Sequence, residues 1–253
     1  MKLERQEHAA RNFSNVSVAL LMLLAAPLAA QDKGEALTPT DQSVPAIDEA
    51  LRRFEESVRE MRADFWKNPA RPPDPEWVRE KLAHMVEVDQ YMRRYTSKPH
   101  DWGYSDEDRE VFTGRFMVLW KEIDAGNTED LKMLLAIHGW FTISEFGEKA
   151  DHEAWLLVQH ADHDVDFQRE VLGILEKLLE TKETSRQNYA YLYDRVASAE
   201  DRPQRYGTQG RCVGPAKWEP NELEHPERID ELRASVGLGT LDDYKAVFVG
   251  LCP

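Results

Sequence analysis

The stretch IDEALRRFEESVREMRADF, Ile47 to Phe65, carries Ile47, Leu51, Phe54, Val58, Met61 and Phe65 at steps of four, three, four, three and four. At 3.6 residues per turn these six side chains fall on one face, which predicts an amphipathic helix whose apolar stripe needs a partner. Pro69, Pro72, Pro73 and Pro75 end that pattern, and Asp74-Pro75 starts the next one. Val78, Leu82, Met85, Asp89 and Met92 keep the helical spacing, so Asp89 sits inside an apolar stripe. SDED at Ser105–Asp108 reads as a capping box ahead of Phe112, Phe116, Leu119, Trp120 and Ile123. GNT at Gly126–Thr128 predicts a break before a short helix that stops at Gly139.

Further on, helical spacing runs through HEAWLLVQHAD and FQREVLGILEKLLE, with a break near His163 left open, and again from Ser185 to Ala199. PQRYGTQGRCVGPAKWEP, Pro203–Pro220, has Gly, Pro and β-formers without helical period, so a loop or small hairpin is expected there. Short helices over about Pro226–Val236 and Leu241–Val249 close the chain. The expected architecture is mainly α: a single-domain helical bundle over residues 45–253 with a loop or hairpin element near 203–220.

The first residues have another character. Lys2, Arg5 and Arg11 precede VSVALLMLLAAPLAA, Val16–Ala30, which ends in small residues. That order reads as a secretory signal peptide over residues 1–30, followed by a polar flexible leader over 31–44. The apolar run of 15 residues falls short of the roughly 20 a membrane-crossing helix needs, so no transmembrane helix is expected after cleavage. The expected location is periplasmic or extracellular. Net charge is −15, and losing Lys2, Arg5, Arg11, Glu4 and Glu7 makes it −16, a surface that excludes nucleic acid as a partner. Cys212 and Cys252 form an even pair in an exported chain, so a disulfide is the leading reading, worth roughly 4 kcal/mol by loop entropy. Two unpaired thiols are the alternative.

Five short motifs occur in order: DQ at Asp89–Gln90, HGW at His138–Trp140, QHAD at Gln159–Asp162, YAYLYDR at Tyr189–Arg195 and PQRYGTQ at Pro203–Gln209. As a set they resemble the bacterial domain-of-unknown-function family 6624 over roughly Asp74 to the C-terminus. The resemblance implies homology and no assigned reaction. Phe141 departs from the proline that members often carry after the tryptophan.

Two constellations could carry chemistry. His160, His163 and Asp164 lie within one or two turns, a spacing at which side chains can converge on a divalent metal, although the zincin pattern is absent. The plainer reading, which is favoured, makes His160 a hydrogen-bonded core residue and the aspartates helix caps. His138, His160, Asp89 and Arg195 supply imidazole, carboxylate and guanidinium for acid/base work and anion binding. The competing structural reading is a buried Asp89–Arg195 ion pair. Gln159, Asp162, Gln204, Tyr206 and Gln209 are candidate ligand-binding groups, with self-satisfaction around a tight turn at Gly207 as the alternative. Trp102, Trp140 and Trp218 read as packing residues.

No nucleophile elbow, Walker loop or dinucleotide turn is present. Two functions stay open: a cell-envelope binding or interaction module with a polar His/Asp/Arg pocket, for a small molecule or an envelope protein, and a hydrolase-like enzyme using His160 and His138 as general base or metal ligands.

Overall fold

The structure, a computed structural model, describes residues 44–66, 74–97 and 105–252. The signal-peptide and leader readings, the prolines from Pro69 to Pro73, Trp102 and the Phe65 side chain lie outside the described residues. Nine α-helices and one two-stranded sheet make up the regular structure among the described residues, so the fold is mainly α. The chain forms two compact units that divide between Ala161 and Asp162.

The first unit holds α1 (Val44–Trp66), α2 (Pro75–Ser97), α3 (Asp106–His138), α4 (Ile143–Phe146) and α5 (Glu148–Gln159). The Ile47, Leu51, Phe54 and Val58 stripe of α1 is buried against Val88 and Met92 of α2 and Phe112, Phe116, Trp120 and Ile123 of α3. Phe54 anchors this cluster, with ring centroids 5.7 Å from Tyr91, 4.9 Å from Tyr95 and 4.7 Å from Phe116. Such offset and tilted rings add to what burial of their area contributes. The other side of α2 packs along α5, whose residues from Glu153 onward are all buried. Ser105 caps α3 by accepting from the Asp108 amide, and Gly139 ends it in the left-handed region.

The expected break at Gly126–Thr128 does not occur: α3 runs unbroken for 33 residues. Each of the three residues is accommodated inside the helix. Gly126 lets the Arg62 side chain of α1 lie against the backbone, Asn127 accepts from Arg62 at 3.2 Å, and Thr128 turns its hydroxyl back onto the Asp124 carbonyl at 2.9 Å. Tertiary partners outweigh a local preference worth about 1 kcal/mol for glycine.

The second unit comprises α6 (Val165–Leu178), α7 (Arg186–Ala199), β1 (Gly210–Gly214), β2 (Lys217–Pro220), a 3-10 turn at Pro226–Arg228, α8 (Ile229–Ser235) and α9 (Leu241–Ala246). Helices α6 and α7 pack on each other, with Phe167, Val171 and Leu175 facing Tyr189, Leu192 and Val196 as the buried sets. The hairpin forms where the helical period fails, with Cys212 opposite Trp218. A Cβ on Gly210 would come within 2.3 Å of the Trp218 ring, so this position needs glycine. Trp218 stacks on Phe248 at 4.5 Å, and the Cys212–Cys252 disulfide fastens the hairpin to the segment that follows α9. No helix among the described residues is long and apolar enough to cross a membrane.

Candidate functional site

The first unit's polar centre is Asp89, placed by the apolar stripe of α2 where its side chain is 1% exposed. His160 caps the C-terminus of α5, and its Nδ1 lies 2.8 Å from Asp89 Oδ1. Arg93, one turn along α2, donates to the same oxygen, and Gln90 Nε2 donates to the other at 2.7 Å. Beyond Arg93 lies Asp124 of α3, reached at 3.3 Å and also accepting from Trp120 Nε1 at 2.7 Å, while the Arg93 guanidinium sits 4.9 Å over the Trp120 ring. Burial acts to raise the Asp89 carboxyl, but the charges of His160 and Arg93 outweigh it and hold it below the usual carboxylate range. Burial pushes Asp124 up to about 7, against the pull of Arg93 and with the Asp89 charge adding to the rise. Two carboxylates around one arginine are thereby separated into an anion, Asp89, and an acid that titrates near neutrality, Asp124.

The arginine on Asp89 is therefore Arg93, where the sequence had suggested Arg195. Arg195, in the second unit, grips Asp162 through two parallel bonds, Nε and Nη2 each at 2.7 Å, and reaches Gln209 Oε1 at 3.3 Å. Asp162 is 47% exposed at its side chain, so this fork is open to water on one side. His138 belongs to the first unit, half-buried near the end of α3 and edge-on to Phe146 at 6.1 Å. Among the described residues its Nε2 has no hydrogen-bond partner. The structure thus joins Asp89 with His160, and Asp162 with Arg195.

The helix ends at His160 and the next begins at Val165, which answers the question of a break near His163 and puts His160 and Asp164 on different elements. Asp164 begins α6 by accepting from the Phe167 amide at 3.0 Å, and His163 is exposed. Among the described residues no group of three His, Cys, Asp or Glu side chains is placed to hold a metal ion. Gln159 is fully buried. Trp140 donates to Asp151 at 2.7 Å, and Phe141 is fully buried with its ring edge-on to Phe146 at 5.5 Å, so the departure from proline fills core space.

The PQRYGTQ loop is held by a residue that the sequence reading passed over. Asp194, fully buried on α7, accepts from the backbone amides of Arg205 at 2.8 Å, Tyr206 at 3.0 Å and Thr208 at 2.8 Å. From the other side Arg233 donates to the Tyr206 carbonyl at 2.7 Å. Gln204 closes the turn, accepting from the Gln209 amide at 2.9 Å and donating to its carbonyl at 2.7 Å. Gly207 supplies the left-handed residue at φ +66°. Burial pushes the Asp194 carboxyl up to about 6, opposed by those backbone donors. Its signal was present: an acid between two inward-facing turns of an apolar helix, beside Arg195. Arg93 too could have been found, four residues from Asp89 on the same face. Asp124, on another helix, had no such local signal.

A sequence profile described as a family of unknown function, DUF6624, matches residues 75–250. The chain belongs to this family. The matched span takes in α2 with Asp89 and Arg93, the His160 junction, and the whole Asp194 loop, and it excludes α1. No curated protein and no solved structure matches the DUF6624 chain.

Proposed function

We propose that this protein is an exported, non-catalytic binding module of the cell envelope, in which the Asp89 network acts as scaffold. The observation that carries the reading is the Asp89–His160 pair, with both side chains no more than 2% exposed. A general base must reach a substrate proton directly or through one water. His160 instead spends Nδ1 on a carboxylate whose remaining acceptor capacity goes to Arg93 and Gln90. Buried charge with several mutual partners suits the fixing of helix register. Export is supported by the N-terminal run Val16–Ala30 and by the disulfide, a bond that persists in oxidising compartments.

Two measurements test the proposal. Intact mass of the exported chain is expected to show it beginning near Gln31. A panel of chromogenic ester, phosphoester, peptide and glycoside substrates is expected to give no turnover that depends on His160. Turnover by the wild type that disappears in a folded His160→Gln variant would establish the hydrolase instead.

A further inference from the structure

The first unit contains a cavity of about 210 Å³ where α1, α2 and α3 meet. Arg62 enters from α1, Lys81 and His84 from α2, and Asn127 and Asp130 from α3, over an apolar floor of Met85 and Val88. None of these residues belongs to the Asp89 network or to the Asp194 loop.

Three observations make this a built site. Arg62 is half-buried, and among the described residues it bonds only to neutral oxygens, the Asn127 amide at 3.2 Å and the Ile123 carbonyl at 3.5 Å. Lys81, by contrast, is matched by Asp130 at 2.8 Å, so among the described residues the Arg62 charge is the uncompensated one in the cavity wall. Asn127 is 5% exposed and gives its oxygen to Arg62, while its Nδ2 has no hydrogen-bond partner among the described residues. A buried donor left unmade costs on the order of 1–3 kcal/mol, and a native protein keeps one where something else comes to accept. Lastly, Gly126 and Asn127 are the residues that made the sequence predict a break. A Cβ at Gly126 would stand 3.3 Å from Arg62 Nη2, so the glycine seats the guanidinium against α3. Positions where a chain overrides its local preference to place a charged group are where function is expected.

The geometry points to this cavity as a binding site for a small oxyanion group, a carboxylate or a phosphate, received by the Arg62 guanidinium and Asn127 Nδ2. Guanidinium offers a planar fork to either head, and a side-chain amide donor beside it fixes orientation. The cavity is smaller than the roughly 300–1,000 Å³ of drug-sized sites, so it fits one compact ligand or the acidic end of a longer one. A chain of net charge −15 repels anions at long range, which makes a locally positive cavity selective for what fits inside it. This inference gives the binding reading its ligand class and rests on it.

The test is a titration of the 15N-labelled, oxidised chain with inorganic phosphate and, separately, acetate at constant ionic strength, following the Arg62 Nε–H and Asn127 side-chain amide signals. Saturable shifts at millimolar concentration are expected, with the tighter probe naming the head group. Affinity should fall at least ten-fold in Arg62→Gln. Asn127→Asp replaces the receiving donor with a carboxylate that offsets the Arg62 charge, so it should stay folded and lose binding altogether. Shifts that never saturate, or that survive both substitutions unchanged, overturn the proposal. His160-dependent turnover would overturn the binding reading while leaving this titration untouched, so the two failures are distinguishable.

Discussion

Two of the buried aspartates, Asp89 and Asp194, solve the same problem by opposite means. Asp89 is compensated by side chains, with Arg93, His160 and Gln90 converging from two helices, and its carboxyl is held low. Asp194 is compensated by backbone, three amides of one loop, and its carboxyl is pushed up to about 6. A charged partner contributes a full opposite charge, whereas an amide contributes only a partial one, so burial dominates in the second case. The first arrangement fixes helices against each other and the second fixes the path of a loop.

The comparison breaks most visibly at Asp89. Asp89→Ala leaves Arg93 and His160 buried without their shared anion and is expected to cost about 3–5 kcal/mol in denaturant unfolding. Adding Arg93→Met should recover part of that loss, because the stranded charge is removed with it. A single-variant loss below about 1 kcal/mol would refute the scaffold role.

Next in size is the pH dependence. Burial pushes the Asp124 and Asp194 carboxyls up to about 7 and about 6 in the folded chain, above the ordinary aspartate value of 3.8. The folded chain therefore keeps protons that the unfolded chain has released, and stability present at pH 4 is lost as pH rises toward 7. The Asp124 part is about 2–4 kcal/mol and should vanish in Asp124→Asn. Asp89 has the reverse sign: its contribution is present above pH 4 and is lost as pH falls through its lowered value.

Asp194→Asn should cost about 2 kcal/mol, since an amide keeps one acceptor and turns a donor toward the loop. Hydrogen exchange is the sharper readout. The amides of Arg205, Tyr206 and Thr208 should lose protection together, and retained protection at all three would remove Asp194 from its assigned place. The smallest effect belongs to Asp162→Asn, about 1 kcal/mol or less by thermal melting, because that carboxylate is half in water.

The helices were legible wherever one stripe decided them. Ile47 to Val58, Val78 to Met92 and Phe112 to Ile123 are buried as their spacing required, and the Ser105 and Gly139 caps stand where they were read. The hairpin was legible as a failure of period, and the cysteine pair as an even count. Gly126–Thr128 was misread because its partner, Arg62, lies more than sixty residues away in the chain and only the fold brings it close. The same limit applied to the site. Asp89 showed itself as an acid in an apolar stripe, but His160 joins it across 71 residues. Spacing within one helix could name Arg93 and could not reveal Asp124.

The disulfide has a mechanical consequence. Cys252, beyond α9, is joined to Cys212 of β1 across a sequence separation of 40. A pull applied from the C-terminal side of Cys252 therefore passes through the disulfide to β1, without first peeling away α8 or α9. Stretched from its ends in a single-molecule trap, the oxidised chain should reach full extension about 140 Å short of the reduced one, at about 3.5 Å per hidden residue. In the oxidised chain, the Trp218–Phe248 stack and the two helices inside the closed loop are shielded from load.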